Sequence, residues 1–137
     1  MTDNFKQISL KSGFMKHNGG LLIRKISENE YQFKTKVTSN HLNRAGITHG
    51  GYIASIIDAG SGSAAHSSAE NFPCVTISLE IKFITPTKEG DEIYGISKIL
   101  KKTKSMIFIV CDLECNGKII ATASGVWKIL RNKSLPK

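Results

Sequence analysis

The feature that most constrains the fold is a single long segment with helical periodicity, which runs from His49 to about Ser67. Its apolar and small residues fall on one stripe: Ile53, Ile56, Ile57, Gly60 and Ala64. A helix with one such stripe has to bury it against another layer of secondary structure. No other segment has a comparable helical pattern, so we expect that layer to be a sheet.

The rest of the chain alternates in the way that is typical of strands. Six segments have this pattern: 21–26, 31–37, 75–83, 93–99, 106–113 and 119–130. Between Val75 and Phe83 the alternation is strict, which predicts one buried and one more polar face. Asn116-Gly117 indicates a tight hairpin, and 101–104 reads as a basic turn. The pattern predicts an α+β fold, in which an antiparallel sheet covers one helix.

The chain length and composition suit one globular domain over residues 1–137. No apolar run approaches a membrane span, and the N-terminus lacks the apolar core of a secretory signal, so we expect a cytoplasmic protein without membrane association. The three cysteines favour no disulfide framework, and the four histidines are too scattered to suggest a metal site. No bound metal or cofactor is therefore expected.

The formal net charge of +8 attracts polyanions. Nucleic acid is one class of polyanion, but only 7% of the residues are aromatic and no nucleic-acid-binding motif is present, so we expect no such partner. A thioester of coenzyme A is also polyanionic. The alternative is a basic surface without a specific anionic partner.

The loop before the helix carries the densest chemistry. Within Asn43–Asp58 lie a carboxamide, an imidazole, two adjacent glycines and a carboxylate. Gly50 and Gly51 fall in the first turn of the helix, where backbone N–H groups lack intrahelical partners and the dipole is positive. Because glycine has no Cβ, a negatively polarised oxygen can approach these N–H groups closely.

Asp58 lies about 10 Å along the helix axis from Gly51. If both act on one small group, the second has to come from another copy of the chain. Asp58 also belongs to a row of small residues separate from the apolar stripe: Ala54, Asp58, Ser61 and Ala65. A carboxylate in such a row is open to approach by a partner or ligand.

These residues carry a family resemblance. Asn-x-x-Gly-x-x-His-Gly-Gly followed by Asp seven residues later resembles the PaaI-like branch of the hotdog-fold acyl-CoA thioesterases. The motif residues are Asn43, Gly46, His49, Gly50, Gly51 and Asp58. The segment 75–86 also looks like the central strand of this family, and the similarity covers residues 20–130. The resemblance implies a curved antiparallel sheet wrapped around one central helix, and assembly as a homodimer or homotetramer.

The resemblance further implies roles for individual residues. The Gly50 N–H and the Asn43 side chain would hold the thioester carbonyl, His49 would orient the helix start, and Asp58 of the partner chain would act as general base or nucleophile. Thr76 would help to position the water, although threonine is also simply a good strand former. Four further residues are candidates for substrate contact, the lysines through the phosphates of coenzyme A: Gly51, Lys101, Lys102 and Lys104.

Two functional alternatives stay open at this level. A hotdog protein can bind acyl-CoA or an acyl carrier without turnover, and a basic domain can bind nucleic acid. A hydratase is disfavoured because the Asp-x4-His signature is absent. The small residues between Gly60 and Ala65 either leave room for an acyl chain or allow tight packing of the helix on the sheet.

Overall fold

The protein is described from a computed structural model that covers residues 4–131. The elements before the long helix are β1 (Lys6–Gln7), α1 (Phe14–His17), β2 (Leu22–Ser27), β3 (Glu30–Lys36) and a 3₁₀ turn (Ser39–His41). The long helix is α2 (Gly50–Ser68). The strands that follow are β4 (Cys74–Phe83), β5 (Glu92–Lys102), β6 (Met106–Cys115) and β7 (Lys118–Ile129).

The strands form one seven-stranded sheet in the order β1-β2-β3-β5-β6-β7-β4. Every neighbouring pair is antiparallel. The sheet curves around α2, which packs against β3, β4, β5, β6 and β7. The α+β hotdog architecture expected from the sequence is therefore confirmed. Among residues 4–131, no helix has both the length and the apolar character needed to cross a bilayer.

The apolar stripe of α2 is buried as predicted. The helix approaches the sheet closely because Gly60 faces the Phe33 ring, where a Cβ would lie 2.4 Å from the nearest ring atom. For Gly60 the structure therefore supports tight packing and leaves no room for a ligand. The row of small residues that contains Asp58 is not open along its whole length, because Ser61 and Ala65 are buried beneath the curved sheet.

Strand β4 differs from its sequence pattern in an informative way. Its pairing with β7 shifts between Thr76 and Ser78, so that one extra residue interrupts the alternation. As a result Thr76 points at α2, and after the bulge Leu79 and Ile81 also pack against the core. Ile77 remains 52% exposed on this edge strand. The prediction of one continuous buried face from Val75 to Phe83 was therefore wrong.

The turns lie closer to their predicted positions than the faces of strand β4 do. Asn116 and Gly117 both have positive φ, 51° and 77°, as a type I′ hairpin turn requires. The basic turn is shorter than predicted, because β5 continues through Lys102 and includes Lys101. Two short elements outside the six predicted strand segments, β1 and α1, lie ahead of β2.

Candidate active site

The first turn of α2 leaves one backbone donor without a partner. His49 is the N-cap residue, and its Nδ1 accepts a hydrogen bond from the Gly51 N–H at 2.8 Å. The His49 carbonyl accepts from Tyr52 and Ile53, at 3.0 and 3.2 Å. Within residues 4–131 the Gly50 N–H has no acceptor. The helix start therefore presents the Gly50 N–H as a free donor at the positive end of the dipole.

The loop before the helix fixes the Asn43 side chain. Its Oδ1 accepts from the backbone N–H groups of Ala45 at 2.9 Å and Ile47 at 3.3 Å. Because a backbone N–H can only donate, the oxygen of the amide is identified by these bonds. The side-chain NH₂ is then left as a donor with no partner among the described residues. Gly46, with a φ of 82°, provides the left-handed backbone that this turn needs.

Asn43 and Gly50 line the same cavity, which has a volume of about 360 Å³. Phe83 forms another part of its wall, and its ring would lie 3.5 Å from a Cβ at position 50. The absence of a side chain at Gly50 therefore leaves space between the helix start and this ring. Two donors, one backbone and one side-chain, border a single small space, which is the arrangement that suits a developing oxyanion.

Asp58 forms a second cluster further along α2. The Thr76 hydroxyl donates a hydrogen bond of 2.6 Å to Asp58 Oδ1. No described residue bonds to Asp58 Oδ2 or pairs with the carboxylate as a cation. The carboxylate is exposed, so one oxygen is held in place while the other is open to water or a ligand. A general base requires this combination of fixed orientation and a free lone pair.

Within one chain the two clusters border different spaces. Asp58 and Thr76 line a cavity of about 690 Å³, together with Gly62, Trp127 and the N-terminal segment. Neither of these two residues lines the smaller cavity of Asn43 and Gly50. Eight residues of helix separate Gly50 from Asp58, which is about 12 Å of axial rise.

The remaining predicted contacts lie elsewhere. The Gly51 N–H is occupied by His49. Lys102 Nζ bonds to the Ser68 carbonyl at the C-terminal end of α2, and Lys101 and Lys104 are exposed nearby in sequence. Ser68 is about 27 Å from Gly50 along the helix axis. Within one chain, the lysines are therefore not brought together with the donors of the smaller cavity.

Sequence reasoning missed two aromatic residues that line these cavities. Phe83 faces Gly50, and Trp127 lies directly across from Thr76 in the pairing of β4 with β7. Phe83 belonged to a predicted buried face, which gave no indication that it borders a cavity. Trp127 is the one tryptophan of the chain, which could have drawn attention to it.

The cysteines and histidines do not form a further site in the described residues. No group of three potential metal ligands occurs between residues 4 and 131. Burial raises the pKa of the Cys111 thiol to about 11, so its reactive thiolate form is suppressed near neutral pH. His41 is buried, stacks on Tyr52 and bonds to the Asn18 carbonyl, which indicates a structural role.

Comparison with known proteins identifies the family of this chain. Residues 45–120 match the family model of the thioesterase superfamily. Mouse acyl-coenzyme A thioesterase 13 is 35% identical over 88 residues, which is 63% of this chain and 63% of that protein. The matched segment thus spans less than two thirds of the length of this curated relative.

Solved structures show the same fold. Zebrafish thioesterase superfamily member 2 superposes with a TM-score of 0.80 at 26% identity, covering 89% of this chain and 90% of that chain. The PaaI protein of Escherichia coli superposes with a TM-score of 0.77 at 22% identity, covering 84% and 82%. The family model spans more than half of the sequence and includes most of the motif found at the start of α2. This chain therefore belongs to the thioesterase superfamily and has the hotdog fold.

Proposed function

We propose that this protein hydrolyses acyl-CoA thioesters to the free acid and coenzyme A. The observation that carries the proposal is the pair of free donors at one cavity, the Gly50 N–H and the Asn43 NH₂, together with the half-free Asp58 carboxylate on the same helix. Hydrolysis of a thioester needs both parts, since the carbonyl oxygen has to be stabilised while a water is activated.

The active site is composed of two chains. Asp58 of one chain acts beside Asn43 and Gly50 of its partner, because about 12 Å of helix separates these groups within one chain. Their positions on different cavities support this arrangement. The assembly is a homodimer, or a homotetramer built from such dimers, as closed symmetry favours.

The reaction follows from these roles. Asp58 Oδ2 takes a proton from a water held near Thr76, and the resulting hydroxide adds to the thioester carbon. The carbonyl oxygen becomes an oxyanion that accepts hydrogen bonds from Gly50 and Asn43. When the carbon–sulfur bond breaks, the coenzyme A thiolate leaves and takes up a proton. Direct attack by the Asp58 carboxylate, followed by hydrolysis of the anhydride, uses the same residues.

The comparisons support acyl-CoA as the substrate, since the mouse relative is named as an acyl-coenzyme A thioesterase. The net charge of +8 favours a polyanionic cofactor ester. Lys101, Lys102 and Lys104 stay candidates for contacts to the phosphates of coenzyme A. A cytoplasmic location also stays a prediction.

A panel of acyl-CoA esters of different chain length, followed by release of free thiol, tests the proposal. We expect turnover of at least one ester, and that turnover should be lost in Asp58→Asn. Tight binding of acyl-CoA without thiol release would instead indicate the non-catalytic hotdog protein. Binding of an oligonucleotide with steep salt dependence, and no effect of acyl-CoA, would contradict both.

A further inference from the structure

The larger cavity contains a polar group that hydrolysis does not use. Trp127 is only 1% exposed, yet it lines the cavity next to Asp58 and Thr76. Within residues 4–131 its indole N–H has no hydrogen-bond partner. Among the described residues, no side-chain nitrogen or oxygen atom is both fully buried and unpaired, so the indole nitrogen keeps some accessible surface. Trp127 lines this cavity, which is where we place that surface.

The orientation of the indole explains how the N–H is reached. The six-membered ring lies towards Gly125, where a Cβ would be 2.7 Å from it. The nitrogen lies at the opposite end, 3.4 Å from the Cβ position of Gly62. Gly62 has no side chain to cover the nitrogen, and it also lines the cavity. A small group in the cavity therefore reaches the indole N–H across the bare helix surface at Gly62.

The indole N–H lies close enough to Asp58 for one acyl group to contact both. Gly62 follows Asp58 by four residues, which is about 6 Å along the helix axis. Trp127 is also the cross-strand partner of Thr76, so the two side chains are neighbours on the face that covers α2. The N-terminal segment lines the same cavity with the apolar side chains of Ile8 and Met15 and with the basic side chains of Lys11 and Lys16.

We propose that Trp127 and Gly62 form a subsite that selects acyl groups carrying an oxygen acceptor several bonds beyond the thioester. This inference rests on the proposed thioesterase function and names its substrate class. The indole N–H donates to a hydroxyl or oxo oxygen of the acyl group, while the apolar part of the wall contacts the intervening carbons. An unsubstituted acyl chain leaves this donor without a partner and is bound less well, because an unmade buried hydrogen bond costs free energy.

A matched pair of substrates measures the selectivity: 5-oxohexanoyl-CoA and hexanoyl-CoA. We expect kcat/KM to favour the oxo ester by roughly threefold to tenfold, the worth of one neutral hydrogen bond. Trp127→Phe removes the N–H and should bring the ratio near one. Gly62→Ala keeps the tryptophan, adds a methyl group over the nitrogen and suits a helix, so it should lower the ratio without unfolding the protein.

Binding separates failure of this inference from failure of the proposed function. In the Asp58→Asn protein, the oxo ester should have a lower Kd than hexanoyl-CoA and should change the emission of Trp127, the one tryptophan of the chain. If this difference appears but the wild-type protein releases no thiol, the hydrolase proposal fails and the subsite stands. Equal kcat/KM and equal Kd for both esters, or a preference unaffected by both variants, would overturn the subsite.

Discussion

The two halves of the candidate active site are built in different ways. The half at the start of α2 is held by bonds between residues close in sequence, from the Asn43 turn to the His49 cap. The Asp58 half joins a helix to a strand 18 residues later and depends on a bulge in β4. The half with Asn43 and Gly50 is therefore shaped by local hydrogen bonds. The half with Asp58 depends on how strand β4 pairs with β7.

The largest loss of kcat should come from substitution of Asp58, in the half that depends on the pairing of β4. Asp58→Asn keeps an oxygen that accepts from Thr76 but removes the base, so we expect kcat to fall by about 10²–10⁴-fold. Steady-state kinetics on the best acyl-CoA ester measures this, with thermal unfolding as a control for the fold. Near-normal turnover by a folded Asp58→Asn protein would rule out the assignment.

The local half should give the next largest effect. Asn43→Asp keeps the oxygen that holds the loop but removes the NH₂ donor, so kcat should fall by about 10²–10³-fold. Asn43→Ala removes both, and it should lower the free energy of unfolding as well as kcat. If Asn43→Asp raises KM and leaves kcat intact, Asn43 contributes to binding alone and the oxyanion role is wrong.

The contrast between the halves also explains what could be predicted from the sequence. Helix α2, its buried stripe and the Asn116-Gly117 hairpin were predicted because each depends on local periodicity or turn chemistry. The bulge at Ile77 was not predicted, because strict alternation carries no sign of an extra residue set by the pairing with β7. Strict alternation would put Thr76 on the face opposite Val75, whereas the side chain of Thr76 contacts Asp58 on α2.

A smaller loss of kcat is expected when Thr76, the residue before the bulge, loses its hydroxyl. Thr76→Val keeps the shape and strand preference of the side chain but removes the hydrogen bond to Asp58. Bonds to charged groups contribute about 1.5–3 kcal/mol, so kcat should fall by roughly tenfold to a hundredfold. Thr122→Val, the same change on β7 at a residue that lines neither cavity, is a control that should change little. Full activity in Thr76→Val would leave threonine as a strand former only.

The smallest change should come from removal of the helix cap at His49, and it should appear in the free energy of unfolding. His49→Ala removes the acceptor of the Gly51 N–H, and loss of an N-cap typically costs about 1 kcal/mol of stability. Denaturant unfolding should show this as a lower midpoint with an unchanged slope. His49→Asn, which retains a capping acceptor, should recover most of the loss. Unchanged stability in His49→Ala would show that the cap does not hold the helix start.

The central claim is that the two halves meet only between chains, and complementation tests it most directly. The Asn43→Asp and Asp58→Asn proteins should each be nearly inactive alone, but a mixed dimer should have one site with both lesions and one with neither. Random co-refolding of an equimolar mixture gives about half mixed dimers, so roughly a quarter of wild-type activity should return. If mass measurement confirms mixed dimers and no activity returns, the site lies within one chain and the account is contradicted.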